Sequence, residues 1–133
     1  MSDRHLAPAG TGADVLLREN DRGVVTLTLN RPDQYNALSL ALITELQAAI
    51  TALAGDDSAR VVVIAGAGKA FCAGHDLKEI QEHASREFEK DVFERARCLM
   101  IALTQLPQPV IARVHGPAYA AGCQLVAQCD LAV

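Results

Sequence analysis

Five consecutive apolar residues, Val61 to Ala65 in "RVVVIAG", constrain this chain more than any other stretch. A strand with one wet face alternates polar and apolar side chains, and this run has no polar face to give to water. It fits a sheet covered on both sides, the habit of parallel strands flanked by helices. Upstream, "GVVTLTLNRP" alternates from Val24 to Leu29, is rich in β-branched residues, and stops at Asn30-Arg31-Pro32, where proline cannot continue a ladder. Between the two strands, Leu42, Leu46, Ala49, Ile50 and Leu53 recur at helical spacing. Ser39 suits the N-cap of that helix and Gly55 its C-cap.

The same alternation of periods continues downstream. The charged segment "KEIQEHASREFEKD" reads as a short helix and a mobile loop. Asp91 to Leu106 forms a helix with Val92, Ala96, Leu99, Ile101, Leu103 and Leu106 on its apolar side, ended by Pro107 and Pro109. Val110 to Val114 is a third strand, "AYAAGCQLVAQ" a short helix of small residues, and "CDLAV" the start of a fourth strand. The order β-α-β-α-β-α-β predicts an α/β protein with right-handed crossovers. Residues 1–14 are expected to be a flexible arm and 15–133 a single core. Because the chain stops at Val133 inside an apolar strand, the expectation is a truncated domain.

Composition narrows the partners. Half of the 133 residues are hydrophobic, the net charge is −4, and no basic run occurs, which argues against nucleic acid. No apolar run approaches the ~20 residues of a membrane span, and "MSDRHLAPAGTGAD" lacks the apolar core of a secretory signal, so no membrane partner and a cytoplasmic location are expected. Cys72, Cys98, Cys123 and Cys129 show no C-x-x-C spacing. They are expected to be reduced, buried thiols with no metal.

The stretch "GAGKAFCAGHDLKE", Gly66 to Glu79, follows the two-faced strand. It is not a phosphate loop, since Gly68-Lys69 is followed by Ala70 and Val63 stands five positions before Gly68. It is not a dinucleotide fingerprint, since Phe71 sits where the third glycine belongs. Two readings remain: a tight turn and nothing more, or a site for negative charge. A turn that enters a helix leaves backbone N–H groups unpaired, and these can hold an oxyanion. A second such turn, "HGPAYAAGCQ", also follows a strand and enters a helix.

Together, "NRPDQYNALS", "GAGKAFCAGHDLKE" and "VHGPAYAAGCQLVAQCDLAV" resemble the three successive motifs of the enoyl-CoA hydratase/isomerase (crotonase) superfamily, in the same order and spacing. The resemblance runs from about Val15 to Val133 and covers the N-terminal half of a usual family domain. It implies a crotonase-like spiral of repeated β-β-α units, broken off after the second turn. It implies an acyl-CoA thioester as ligand, with CoA part of the substrate and no separate cofactor. The backbone N–H groups of His75 and Ala121 would form the oxyanion hole. Gln34, Ala37, Leu38, Ala73, Gly74, Asp76, Leu77 and Gly122 would surround substrate and CoA. Arg31, Lys69 and Lys78 are open to either of two roles, phosphate ligand or ordinary surface cation. The His75 imidazole is not expected to act as a base, and His115 and Asp130 are expected to be packing residues. Family members assemble as trimers or pairs of trimers, so a homo-oligomer is implied for the full-length form.

One departure matters. The resemblance places a catalytic Glu after the Gly-Cys of the second turn, and Gln124 stands there. The second Glu would lie beyond Val133. The expected activity is nominally enoyl-CoA hydration or isomerisation through an oxyanion-stabilised enolate. The alternatives are a non-catalytic acyl-CoA binder or remnant, or another reaction of the superfamily such as thioester hydrolysis or double-bond isomerisation.

Overall fold

The computed structural model describes residues 14–133, so all but the last residue of the expected N-terminal arm lies outside the described residues. One five-stranded sheet forms the frame, with strands side by side in chain order. β1 (Leu16–Asp21) pairs antiparallel with β2 (Val24–Leu29). From there β2, β3 (Val61–Gly66), β4 (Val110–Ala112) and β5 (Leu131–Ala132) run parallel. The connections carry α1 (Leu40–Ala54), then α2 (Leu77–Glu82) and α3 (Arg86–Gln105), then α4 (Ala121–Ala127).

Register explains the core. Val25, Val62 and Val110 lie in one row across the sheet, and Leu27, Ile64 and Ala112 in the next; all six are buried. α1 covers this face with Leu42, Ile43, Leu46, Ile50 and Leu53, and α3 with Val92, Ala96, Leu99, Met100 and Leu103. Each fully buried aliphatic side chain contributes about 1.5–3 kcal/mol before chain entropy is charged against it. Ser39 caps α1 as expected, its hydroxyl accepting the Leu42 N–H at 3.1 Å, and Gly55 stands at the C-cap.

The structure differs from the sequence reading in several places. β1 is absent from that reading because "LLREND" is a wet edge strand: only Leu16 and Asn20 are even half-buried. It is set by a two-residue hairpin turn at Arg22 and Gly23, both with positive φ, as tight hairpins require. The face opposite the core, the row Thr26, Val63 and Ile111, is only half-buried among the described residues. The apolar run therefore has one fully covered face, not two. α3 starts at Arg86, capped by the Ser85 hydroxyl on the Phe88 N–H at 3.1 Å, which leaves less loop than expected. Ile101 is exposed and Met100 takes its place, because the buried stripe steps through positions 92, 96, 99, 100 and 103. Of the four thiols, Cys72 is buried and Cys129 half-buried, while Cys98 and Cys123 are exposed on their helices. His115 and Asp130 are exposed rather than packed, and each ties down backbone: the His115 Nε2 lies 2.6 Å from the Gly68 carbonyl, and the Asp130 carboxylate accepts the Val110 N–H at 2.8 Å.

Candidate functional site

The first turn is built on a buried amide. Asn36 is fully buried, accepts the Arg31 N–H at 2.8 Å, and donates to the Ala67 and Ala70 carbonyls at 2.8 and 2.9 Å. This fastens the loop after β3 onto the segment after β2. Further on, Leu38 donates to the Gly74 carbonyl at 2.7 Å, and its own carbonyl accepts from Asp76 at 3.2 Å. These two bonds make a parallel bridge between Leu38 and His75. In a parallel bridge the middle residue aims its own N–H and C=O at the opposite side. The His75 N–H accordingly has no acceptor among the described residues.

The second turn is clasped to the first. Cys72 accepts from Tyr119 at 3.0 Å and donates to Pro117 at 3.2 Å, a bridge between Cys72 and Ala118. Ala120 then sits at φ 49°, ψ −117°, a conformation that costs a side-chain-bearing residue about 1–3 kcal/mol. That bend turns the chain into α4, whose first residue, Ala121, keeps its N–H without an acceptor among the described residues. Gly74 joins the two turns. Its φ is +99°, and a Cβ there would stand 3.0 Å from the Tyr119 carbonyl and 3.4 Å from the Ala121 nitrogen. The residue just before His75 therefore abuts the Ala121 amide, so the two free donors belong to one small region. Gly122 has a structural task besides the one expected. A Cβ there would lie 2.2 Å from the Cys72 oxygen, so its bareness serves the contact between turns.

His75 lies where two clefts meet. One, of about 570 Å³, is lined by Arg31, Gln34, Ala37, Ala73, Asp76, Leu77 and Lys78 among others. The other, of about 340 Å³, is lined by Phe93, Ala96, Arg97, Met100, Gln124 and Gln128 among others. The first gathers most of the residues expected around CoA; the second holds the altered acid–base position. The His75 ring meets Phe93 edge to face at 4.9 Å between centroids, and its Nδ1 is buried with no partner. Burial pushes the imidazole pKa down, so the ring is neutral near pH 7. Without a partner to fix its tautomer it lacks the orienting group of a general base.

Asp76 is held instead by a full set of partners. Its Oδ2 pairs with Arg31 Nη2 at 2.9 Å, and its Oδ1 caps α2 by accepting the Glu79 N–H at 3.1 Å. Burial alone would raise this carboxyl. The Glu79 N–H, the Arg31 guanidinium and the Lys78 N–H outweigh it and hold the pKa below the usual carboxylate range. Glu79 in turn accepts the Leu40 N–H at 2.8 Å, tying the start of α1 to α2.

Not every expected residue reaches a cleft. Leu38 is 1% exposed and spends both backbone groups on Gly74 and Asp76, so it positions the turn and offers a ligand nothing. The Ala37 carbonyl is taken by Arg31 at 2.6 Å. Gln34 and Leu77 are exposed at the cleft rim. Lys69 is exposed but lies outside this lining. Gln124 is exposed and makes no side-chain hydrogen bond among the described residues, so its amide is free toward the second cleft. Sequence reasoning missed three contributors. Asn36 was visible only as part of a motif; Phe93 is a large aromatic off the apolar stripe of α3; an alanine at positive φ leaves no sequence signal. Among the described residues no group of three or more His, Cys, Asp or Glu could hold a metal, and no helix is long and apolar enough to cross a membrane.

Known proteins resemble this chain in sequence and fold. A family model described as enoyl-CoA hydratase/isomerase matches residues 19–133. The mitochondrial enoyl-CoA hydratase domain-containing protein 3 of Xenopus laevis is 44% identical over 115 residues, 86% of this chain and 39% of that protein. Its Homo sapiens counterpart is 43% identical over 111 residues, 84% of this chain and 37% of that protein. A crystal structure of an enoyl-CoA hydratase from Mycobacterium smegmatis superposes with a TM-score of 0.86 at 60% identity, over 89% of this chain and 46% of that one. The crystal structure of the human domain-containing protein 3 gives 0.84 at 39% identity, over 89% and 47%. The chain thus spans about two fifths of the length of these curated relatives.

Proposed function

The chain belongs to the enoyl-CoA hydratase/isomerase family and has its mixed α/β fold, and from that premise we propose that it holds an acyl-CoA thioester with the carbonyl oxygen between the His75 and Ala121 N–H groups. The observation that carries this reading is the pair of unpartnered donors brought together through Gly74. Charge that develops on a thioester oxygen is best stabilised by donors fixed before the reaction, in a site shielded from water. The larger cleft would take the CoA moiety and the one behind Phe93 the acyl group. The strain at Ala120 fits this reading, because such backbone persists where a fixed donor is worth its cost.

Within this proposal the chain polarises the thioester but does not by itself hydrate an enoyl group. Hydration needs a group that takes a proton from water, and the Gln124 amide can hydrogen-bond a water without deprotonating it. Binding, or a superfamily reaction that draws its acid–base group from elsewhere, is therefore favoured over efficient hydration. Assembly as a trimer or pair of trimers belongs to the same proposal. Calorimetric titration with crotonyl-CoA tests it: saturable binding is expected, and no binding by the folded protein would refute it. Hydration of the same ligand should be slow, and Gln124→Glu should raise it if a second acid is present in the full-length protein. An unchanged rate in a full-length protein that carries the second acid would remove position 124 from the chemistry.

A further inference from the structure

We propose that Arg31 is a positioning residue for the His75 donor and not a ligand of the CoA phosphates; this rests on the reading of that N–H as an oxyanion donor. The sequence left Arg31 two roles, phosphate ligand or surface cation, and the geometry fits neither. Its guanidinium donates to the Ala37 carbonyl at 2.6 Å and to Asp76 Oδ2 at 2.9 Å. The side chains of Arg31 and Asp76 are only 16% and 13% exposed. A phosphate approaching Arg31 would meet the Asp76 carboxylate on the same wall of the cleft. Lys78 lines that cleft too and forms no ion pair among the described residues, so it is better placed for an anion.

What Arg31 grips defines its task. Ala37 immediately precedes Leu38, and Asp76 immediately follows His75. The guanidinium therefore spans the isolated bridge whose two backbone bonds aim the His75 N–H. Two bonds alone leave the peptide planes around His75 free to rock. A planar two-pronged donor across the same gap resists that motion, and an ammonium could not reach both acceptors in the same fixed geometry. The clamp is anchored at its far end, because Asp76 also caps α2 and Glu79 bonds the first N–H of α1. Arg31 makes no contact with the donor hydrogen; it acts through Asp76 and Ala37.

Two measurements on the full chain test this, using Arg31→Met, Arg31→Lys and Asp76→Asn, the last of which keeps a capping oxygen. Without ligand, amide exchange at Leu38 and Asp76 should quicken about tenfold in each variant while Ile64 in β3 is unchanged. Unchanged exchange at Leu38 and Asp76 would overturn the clamp. With ligands, affinities for butyryl-CoA, its thioether analogue S-butyl-CoA and free CoA are compared. The wild type should prefer the thioester over the thioether by about tenfold or more, all three variants should lose most of that preference, and the two Arg31 variants should bind free CoA within about twofold of wild type. Equal weakening of all three ligands would instead make Arg31 a phosphate ligand. A wild type that does not tell thioester from thioether overturns the oxyanion reading itself, a failure the exchange measurement separates from failure of the clamp.

Discussion

The two sides of His75 are built on opposite plans. On the side of the larger cleft, nearly every buried polar group has a partner: Asn36 makes three hydrogen bonds, Arg31 and Asp76 pair, and Glu79 bonds the start of α1. On the side of the smaller cleft, Gln124 and the buried His75 Nδ1 have no side-chain partner among the described residues, and Phe93 and Ile101 stay about half exposed. The difference separates framework from reactive space. A donor can be aimed only from a rigid, satisfied scaffold, and a reacting group can be accommodated only where protein has not already claimed every hydrogen bond.

The harshest way to break the scaffold is to part the two turns. Gly122→Val would drive side-chain carbons into the Cys72 backbone oxygen, which a Cβ already meets at 2.2 Å. Backbone cannot step aside as a flexible side chain does, so a loss of about 3–5 kcal/mol is expected in urea unfolding. A wild-type midpoint would show that α4 can draw back freely. Next comes a matched pair. Asn36→Ala strands the Arg31 N–H and the Ala67 and Ala70 carbonyls, and should cost about 3 kcal/mol. Phe93→Ala, at the half-exposed wall of the smaller cleft, should cost about 1 kcal/mol or less. Equal losses in the two variants would erase the contrast between the sides.

Acid should separate the sides by smaller amounts. The folded His75 has its pKa pushed below the ordinary value by burial, so the unfolded chain takes up that proton first. Its contribution to stability is present above about pH 6.5 and declines as pH falls from there through the lower folded value. Asp76 is also held below its ordinary value, so its contribution is intact above about pH 4 and is lost only as pH falls through the folded pKa. The stability difference between wild type and His75→Phe should change first on acidification, and that for Asp76→Asn only in stronger acid. The reverse order would contradict the assigned environments.

How far the sequence could be read follows the same divide. The parallel strands and α1 were legible because burial is written as period: Val25, Leu27 and Leu29 alternate, and Leu42, Leu46, Ile50 and Leu53 step along one helix face. The two turns that carry His75 and Ala121 were legible because two Gly-rich stretches follow strands and enter helices, while the choice of those two residues came from the resemblance. β1 was hidden because an exposed edge strand needs no apolar pattern. The Arg31–Asp76 clamp was hidden because it joins residues 45 apart, and no local spacing encodes such a contact. The structural part played by Leu38 was hidden for a related reason. Its neighbours in the motif line the cleft, while its own backbone is consumed by the bridge that aims His75.

The most direct test of the whole account is the carbonyl stretch of butyryl-CoA labelled with carbon-13 at the thioester, recorded by isotope-edited infrared difference spectroscopy in a saturated complex with the protein. Two N–H donors on the oxygen lengthen the carbonyl bond, so the band should move to lower frequency than in free butyryl-CoA and return toward the free position in Gly74→Ala, where a Cβ crowds Ala121 at positive φ. A bound thioester whose carbonyl band is unshifted would mean that the two N–H groups do not hold it.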